Sequence, residues 1–466
     1  MNILDFGLMP GAASLGQDLF RILTLQDYNT RVVLTGSLLL GISAGLVGTF
    51  MLLRKRALVG DVISHASLPG IAVAFIVLEM AQQGAGKSLS GLTIGAVISG
   101  CLAIAITRMI RISSRIRDDA ALAIVLSLFF GAGISLLTMI QDMPAGSAAG
   151  LDQFIFGRTA SMTADDIELL AVANGVTLLV CLGFFKEFSL LCFDESYAGS
   201  MGWPTGWIDG ILMALVIAVT VIGQQSVGLL LVVAMLIVPA VSARFWTHRI
   251  SVMAVLSGVI GALSALIGGV LSALFPRLAA GAIMVLVGGL LFVASFLFGK
   301  QRGIVPDWYR RRRTRRRADI DDLLRSLYEL IEIRRETAIE AGPEWCHVPV
   351  PVEDLHGHRH WNDRRLLASL KHASNRGWIE HSPDHDRVAF SAAGVMESSR
   401  AVRNHRLWEL FLLHYADIAP AHVDRQADVV EHVLEPELVF ELEKLLKTRH
   451  GIVDVPPCPH SEDLPK

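Results

Sequence analysis

RKRALVGDVISHASLPG, residues 54–70, follows one long apolar run and leads into another. Three basic residues head it, Asp61 and His65 lie four apart in its middle, and Leu-Pro-Gly closes it. Four residues is about one helical turn, so a helix here puts a carboxylate and an imidazole on one face. Ionisable residues at membrane depth are costly and normally face a pathway or a partner. The stretch therefore reads as a membrane edge at the basic triplet, a polar site at Asp61 and His65, and a helix break at Leu68-Pro69-Gly70. An Asp–His pair on one face is half of a site for a divalent transition metal such as Mn, Fe or Zn. It is also what a buried carboxylate–imidazole bond tying spans together looks like, and the residues alone leave both readings open.

The rest of the chain supports a membrane setting. Of 466 residues, 52% are hydrophobic and only 18% charged, and the mean hydropathy is +0.50. That charge is too sparse to cover a soluble protein of this size, so a large part faces lipid. The net charge of −3 averages two unlike halves. From Ser226 to Gly299 the only charged residues are Arg244, Arg249 and Arg277, whereas the chain beyond Gly303 is crowded with Arg, Asp, Glu and His. Apolar runs recur at 32–53, 66–80, 90–107, 120–140, 167–185, 207–223, 226–244, 251–275 and 279–299. They are continuous rather than alternating, which predicts helices, eight or nine of them, and not barrel strands. Basic clusters at Arg54–Arg56, Arg108–Arg117, Arg244–Arg249 and Arg310–Arg317 all fall on one side if nine spans are counted. That side is the cytoplasm, with the C-terminal region inside. Five scattered cysteines form no CxxC pair and read as free thiols. The first thirty residues carry no basic n-region and read as an interfacial lead-in rather than a cleaved signal.

Small residues are dense in the spans (GISAGLVG, GVIGALSALIGG) and read as packing surface. The segment 187–206, EFSLLCFDESYAGSMGWPTG, reads as a docking helix for a cytoplasmic partner. The Arg run at 310–317 reads as an anchor for anionic lipid headgroups. Beyond it comes an amphipathic helix at 319–337, then a basic helix, a hairpin and a long helix from about 391, the order of a winged helix-turn-helix. No GxxxxGK[ST] loop occurs, so any ATP hydrolysis falls to another chain.

RKRALVGDVISHASLPGIAVAF resembles the signature of the permease subunits of manganese, zinc and iron ABC importers (ABC-3 type). The likeness continues in FKEFSLLCFDESYAGSMGWPTGWIDG, VGLLLVVAMLIVPAVSARFW and GAIMVLVGGLLFVASFLFG, in family order over about 30–300. The resemblance implies a divalent metal on a path lined by Asp61 and His65. It also implies three kinds of partner: ATPase subunits, a second permease copy or paralogue, and an extracellular or periplasmic metal-binding protein. Phe193, Asp194, Glu195, Ala198 and Gly202 match the coupling helix that receives the ATPase stroke. The C-terminal region is similar to metal-dependent repressors of the diphtheria-toxin-repressor and manganese-sensor type. DDLLRSLYELIE matches their first helix, and NHRLWELFL and DVVEHVLEPEL match their metal-binding and dimerisation helices. The match implies Asp322, His405, Asp428, Glu431 and His432 as ligands and Glu409 as an accessory one. Arg325 departs from it, standing where the manganese branch has an acidic ligand. Residues 338–362 are poorly matched, so the front of the helix-turn-helix is expected to be missing or reshaped. Arg364, Arg365, Lys371 and Arg376 are spread around the presumed recognition helix.

These readings predict an all-α polytopic membrane domain of about eight or nine helices and a mostly α cytoplasmic winged-helix-like domain with metal-binding and dimerisation helices. The expected segments are an interfacial segment (1–30), a permease (31–300), a basic linker (301–318), a winged-helix-like region (319–400), metal-binding and dimerisation helices (401–450) and a Pro-rich tail (451–466). The expected function is that of a permease subunit of an ABC importer in a bacterial cell membrane. It would move Mn²⁺, Zn²⁺ or Fe²⁺ inward, bind no nucleotide itself, and carry a domain that slows transport in metal-replete cytoplasm. The alternative is a membrane-tethered, metal-dependent DNA-binding regulator. A proton- or sodium-driven carrier lacks the expected inverted repeats with broken helices.

Overall fold

The computed structural model describes residues 27–82, 86, 88–141, 164–275, 279–337, 348–358, 361–383, 386–415 and, singly, 440, 441 and 444. It divides at Asp307/Trp308 into two compact units, each treated by itself.

The first unit is helical throughout: α1 (Tyr28–Leu53), α2 (Val59–Ala81), α3 (Leu89–Ser113), α4 (Asp118–Gln141), α5 (Ala164–Gly183) and α6 (Phe185–Phe193). There follow α7 (Glu195–Ser200), α8 (Thr205–Val227), α9 (Leu229–Arg244), α10 (Ile250–Leu274) and α11 (Ala280–Phe298). Among the described residues, seven of these are long and apolar enough to cross a membrane. The pair α5–α6, bent by 65°, makes eight if it is one broken span. With 16 residues, α9 is about 24 Å long, short of a full crossing. It still runs parallel to α11 along its length: Gly281 at the start of α11 lies by the Val227 carbonyl, and Gly299 at its end lies against Phe245. Gly228, with φ +89°, supplies the left-handed backbone that turns α8 into α9. The turn therefore falls two residues beyond the GQQS tetrapeptide that marks the break in the sequence.

The densely small stretches do what packing in lipid requires. A Cβ on Gly41 would come within 2.5 Å of the Gly261 carbonyl oxygen, and one on Gly261 within 2.2 Å of the Gly41 oxygen. One turn along, the Ser257 hydroxyl donates to the Gly45 carbonyl at 2.7 Å. The backbones of α1 and α10 are thus in contact, and lipid tails leave van der Waals packing of this kind to hold helices together. Gly261→Val is expected to destabilise the membrane unit by about 3 kcal/mol, the upper end for overpacking, because both obstructing groups are backbone. Thermal unfolding of the detergent-solubilised protein checks it.

The sequence reading placed a helix break at Leu68-Pro69-Gly70 and started the second span at residue 66. Both are corrected: α2 runs unbroken from Val59 to Ala81 with Pro69 inside it. Proline removes one N–H and crowds the preceding turn, but neighbouring helices compensate. Ser99 of α3 donates to the Ala66 carbonyl at 2.6 Å, and Gly70 and Gly95 bring the α2 and α3 backbones together at this level. Asp61 and His65 consequently belong to the span itself rather than to a loop before it.

The second unit begins inside α12 (Ile304–Thr337), which takes in the whole Arg310–Arg317 run. The expected linker 301–318 is therefore mostly helix, as arginine is a good helix former and Pro306 falls in the first turn, where its missing N–H has no helical partner to lose. On α12, Ile320, Leu323, Leu324, Leu327, Tyr328 and Ile331 are buried at helical spacing. They pack on β1 (Val350–Pro351), α13 (Val352–His358), α14 (Asp363–Asn375), β2 (Ile379–His381), β3 (Arg387–Phe390) and α15 (Ala392–Tyr415). The strands form one antiparallel sheet in the order β1-β3-β2. Of the poorly matched stretch 338–362, the described residues 348–358 form β1 and α13 ahead of α14. Residues 1–26, Asp428, Glu431, His432 and the tail 451–466 lie outside the described residues.

Candidate metal path and coupling face

Asp61 is in the first turn of α2, where the helix N-terminus favours a carboxylate. His65 lies about 6 Å deeper along the axis. The imidazole Nε2 stands 3.4 Å from Asp61 Oδ1, and the two side chains are 22% and 32% exposed. The ring meets Phe130 of α4 edge-on, with centroids 4.9 Å apart. His65 Nδ1 is buried without a hydrogen-bond partner. A structural tie would close both ring nitrogens at shorter range, since unpaired buried polar atoms are costly. A loose pair with an orphaned nitrogen and an accessible edge instead suits a ligand that comes and goes. Among the described residues no group of three or more His, Cys, Asp and Glu gathers around one point. Asp61 and His65 are therefore half a site.

The basic triplet proves to be more than a membrane edge. Arg54, the residue after α1, donates from Nη1 to the Leu191 carbonyl of α6 at 3.1 Å and to Glu195 of α7 at 3.0 Å. Its Nη2 donates to Asp209 of α8 at 2.9 Å. Arg56 donates to both Asp209 oxygens at 2.8 Å. Between them Lys55 takes φ +58°, with Arg56 N–H bonded to the Met51 carbonyl and Lys55 N–H to that of Leu52. This is a Schellman turn with lysine where glycine is usual, and it aims Arg54 and Arg56 at one acceptor. Lys55, Arg56, Arg108, Arg111, Asp118 and Asp209 line one cavity of about 340 Å³. Leu52 and Leu53 pack with Ala243, Met253 and Leu291. The basic clusters after α1, α3 and α9 therefore meet on one face of the bundle, as the charge pattern requires.

On that face, Asp194 caps α7 by accepting from the Tyr197 N–H at 2.9 Å, Ala198 is buried, and Gly202 has φ +83°. Phe193, Tyr197, Met201, Trp203 and Trp207 stay exposed, Phe193 by 81%. An exposed apolar patch of this kind marks a protein or membrane contact.

The sequence reading missed the Arg54–Asp209–Arg56 tie. It also missed two buried polar links of α8, Ser67 to Gln224 at 2.8 Å and Thr93 to Gln225 at 3.2 Å. The signal for the first was an aspartate, Asp209, alone at the start of an apolar run.

In the second unit, His405 Nε2 lies 3.2 Å from Glu409 Oε1 on α15, both side chains buried. The Arg325 guanidinium, also buried, bonds His405 Nδ1. Asp322 is on α12, half-buried. No metal cluster forms from Asp322, His405 and Glu409, and these described residues do not fit an ion as they stand. On α14, Arg365 is bonded to Asp319, which raises its guanidinium above the ordinary value, and Arg376 lies 4.9 Å over the Trp378 ring.

Fold and site together define a polytopic membrane permease. A family model described as the ABC 3 transport family matches residues 26–299, and the chain belongs to that family as the membrane permease of an ABC transporter. A second model, the iron dependent repressor metal binding and dimerisation domain, matches residues 391–465. The manganese transport system membrane protein MntC of Bacillus subtilis is 36% identical over 403 residues, 86% of this chain and 88% of that one. The zinc transport system membrane protein TroC of Treponema pallidum is 38% identical over 62% of this chain and 94% of its own. The solved structure of PsaBC from Streptococcus pneumoniae in complex with Fab aligns with TM-score 0.52 and 32% identity, over 62% of this chain and 97% of that one.

Proposed function

We propose that the chain imports a divalent transition metal, with Mn²⁺ as the first candidate and Zn²⁺ or Fe²⁺ next, into the cytoplasm of a bacterium. The observation that carries this is the loose Asp61–His65 pair with its orphaned, buried His65 Nδ1 inside a span. Imidazole with carboxylate suits these ions, and the similarity to MntC and TroC supports the same cargo. Two ligands hold an ion weakly, so the remaining donors come from outside the described chain, most directly from a second permease copy or paralogue. An ATPase subunit docks on Phe193, Asp194, Glu195, Ala198 and Gly202, using the exposed aromatic patch. A metal-binding protein delivers the ion from outside. The basic face lies in the cytoplasm, and the C-terminal unit with it. That unit is a regulatory appendage, whose candidate sensor set is Asp322, His405, Glu409, Asp428, Glu431 and His432.

A reconstituted vesicle holding permease, ATPase and binding protein tests the proposal. ATP-dependent uptake of Mn²⁺ above Zn²⁺ and Fe²⁺ is expected. Absence of ATP-dependent uptake of any of the three would sink it. A second reading, DNA binding by the C-terminal unit, draws on the winged-helix order of α13, α14, β2 and β3. It predicts sequence-specific retardation of the chain's own upstream DNA.

A further inference from the structure

We infer that Arg325 is a built-in cation that closes the His405 site, so the C-terminal unit holds its fold without metal there. Arg325 is among the largest fully buried side chains of the molecule, at 2% exposure. A guanidinium has only donors, so His405 Nδ1, bonded to Arg325 Nη1, must be the accepting nitrogen. The neutral ring then carries its proton on Nε2, which faces Glu409 Oε1 at 3.2 Å. A metal binds imidazole through a ring lone pair, and here that lone pair is taken. Glu409 is engaged by the same ring, and Glu329 stands 3.4 Å from Arg325 Nε. A divalent ion entering at His405 would also sit beside a permanent positive charge in a buried, weakly screening setting.

The surroundings show that this is an organised seam. One residue further on α15, Arg406, its side chain 4% exposed, bonds Glu332 and lies 5.9 Å over the Tyr328 ring. The helices α12 and α15 thus bury two arginines between them, one from each: Arg325 reaches across to His405, and Arg406 reaches across to Glu332. In a domain family named for metal binding, the charge that joins these helices is supplied by the chain itself.

Hydrogen exchange read by mass spectrometry, on the full chain in lipid nanodiscs, tests this locally. Peptides covering Ile320–Ile331 and Val402–Leu412 are followed with EDTA and with Mn²⁺. In the wild type the two curves are expected to coincide. Arg325→Glu removes the cation and supplies a carboxylate beside His405. It is expected to gain Mn²⁺-dependent protection, about tenfold slower exchange when Mn²⁺ is at about ten times its dissociation constant. Arg325→Gln, which frees the lone pair without adding charge, should gain less and covers the case where the first variant misfolds. Mn²⁺-dependent protection in the wild type that disappears in His405→Ala would overturn the inference. So would a failure of both folded variants to respond, because something other than Arg325 would then close the site. Uptake through the membrane unit can succeed or fail without changing these curves.

Discussion

Asp61→Asn is expected to abolish ATP-driven metal uptake while leaving the thermal stability of the permease nearly unchanged. Removing even an outer partner of a bound metal typically costs about 10–100-fold in affinity or activity, and Asp61 is one of the two candidate ligands on the path among the described residues. The structural cost is small by comparison. Asp61 makes no short hydrogen bond to His65, the separation being 3.4 Å. What the carboxylate gives the fold is its place in the first turn of α2, worth roughly 0.3–1 kcal/mol. His65→Gln should behave alike, since His65 Nδ1 already lacks a partner and a glutamine leaves no worse a gap. The two readings of the pair thus separate in one experiment. If the pair is a tie between spans, unfolding temperature falls and uptake by the surviving protein persists. If it is a metal path, uptake is lost at unchanged unfolding temperature.

The spans were legible because apolar runs of this length permit little but membrane helices, and the shared face of the basic clusters because arginine and lysine gather on one side of a membrane. Small residues were rightly taken as packing surface. What escaped the sequence depends on contacts between distant positions. Pro69 reads as a breaker until α2 is seen packed on α3, with Ser99 donating to the Ala66 carbonyl in the turn before the proline. Asp209 reads as an ordinary charge at the start of a span until Arg54 and Arg56, more than 150 residues away, are found on its carboxylate. Arg325 was visible as a departure from the family pattern, but not that it lands on His405, 80 residues later. Spacing within one helix predicts which residues share a face; it does not predict which helix that face will meet.

Asp209→Ala is expected to cost the membrane unit about 3–5 kcal/mol, the range for removing one partner of a buried ion pair. The side chains of Arg54, Arg56 and Asp209 are only 6%, 13% and 17% exposed, so water relieves little of this. The loss should fall mainly on Arg56, whose two hydrogen bonds both go to Asp209. Arg54 keeps Glu195 and the Leu191 carbonyl. A double-mutant cycle follows from that asymmetry: Asp209→Ala combined with Arg56→Met should be markedly more stable than Asp209→Ala alone, whereas Arg54→Met should rescue much less. The functional consequence is separable from the stability loss. Arg54 joins the end of α1 to α6, α7 and α8, and five residues after Arg56 the chain reaches Asp61. If the proposed ATPase docks on α7, this charged joint is the direct link by which a push there would reach α2. In the rescued double variant, ATP hydrolysis by the assembled complex should continue while metal uptake per ATP falls severalfold. If uptake per ATP is unchanged in that variant, the joint holds the fold together and has no part in transmitting the stroke.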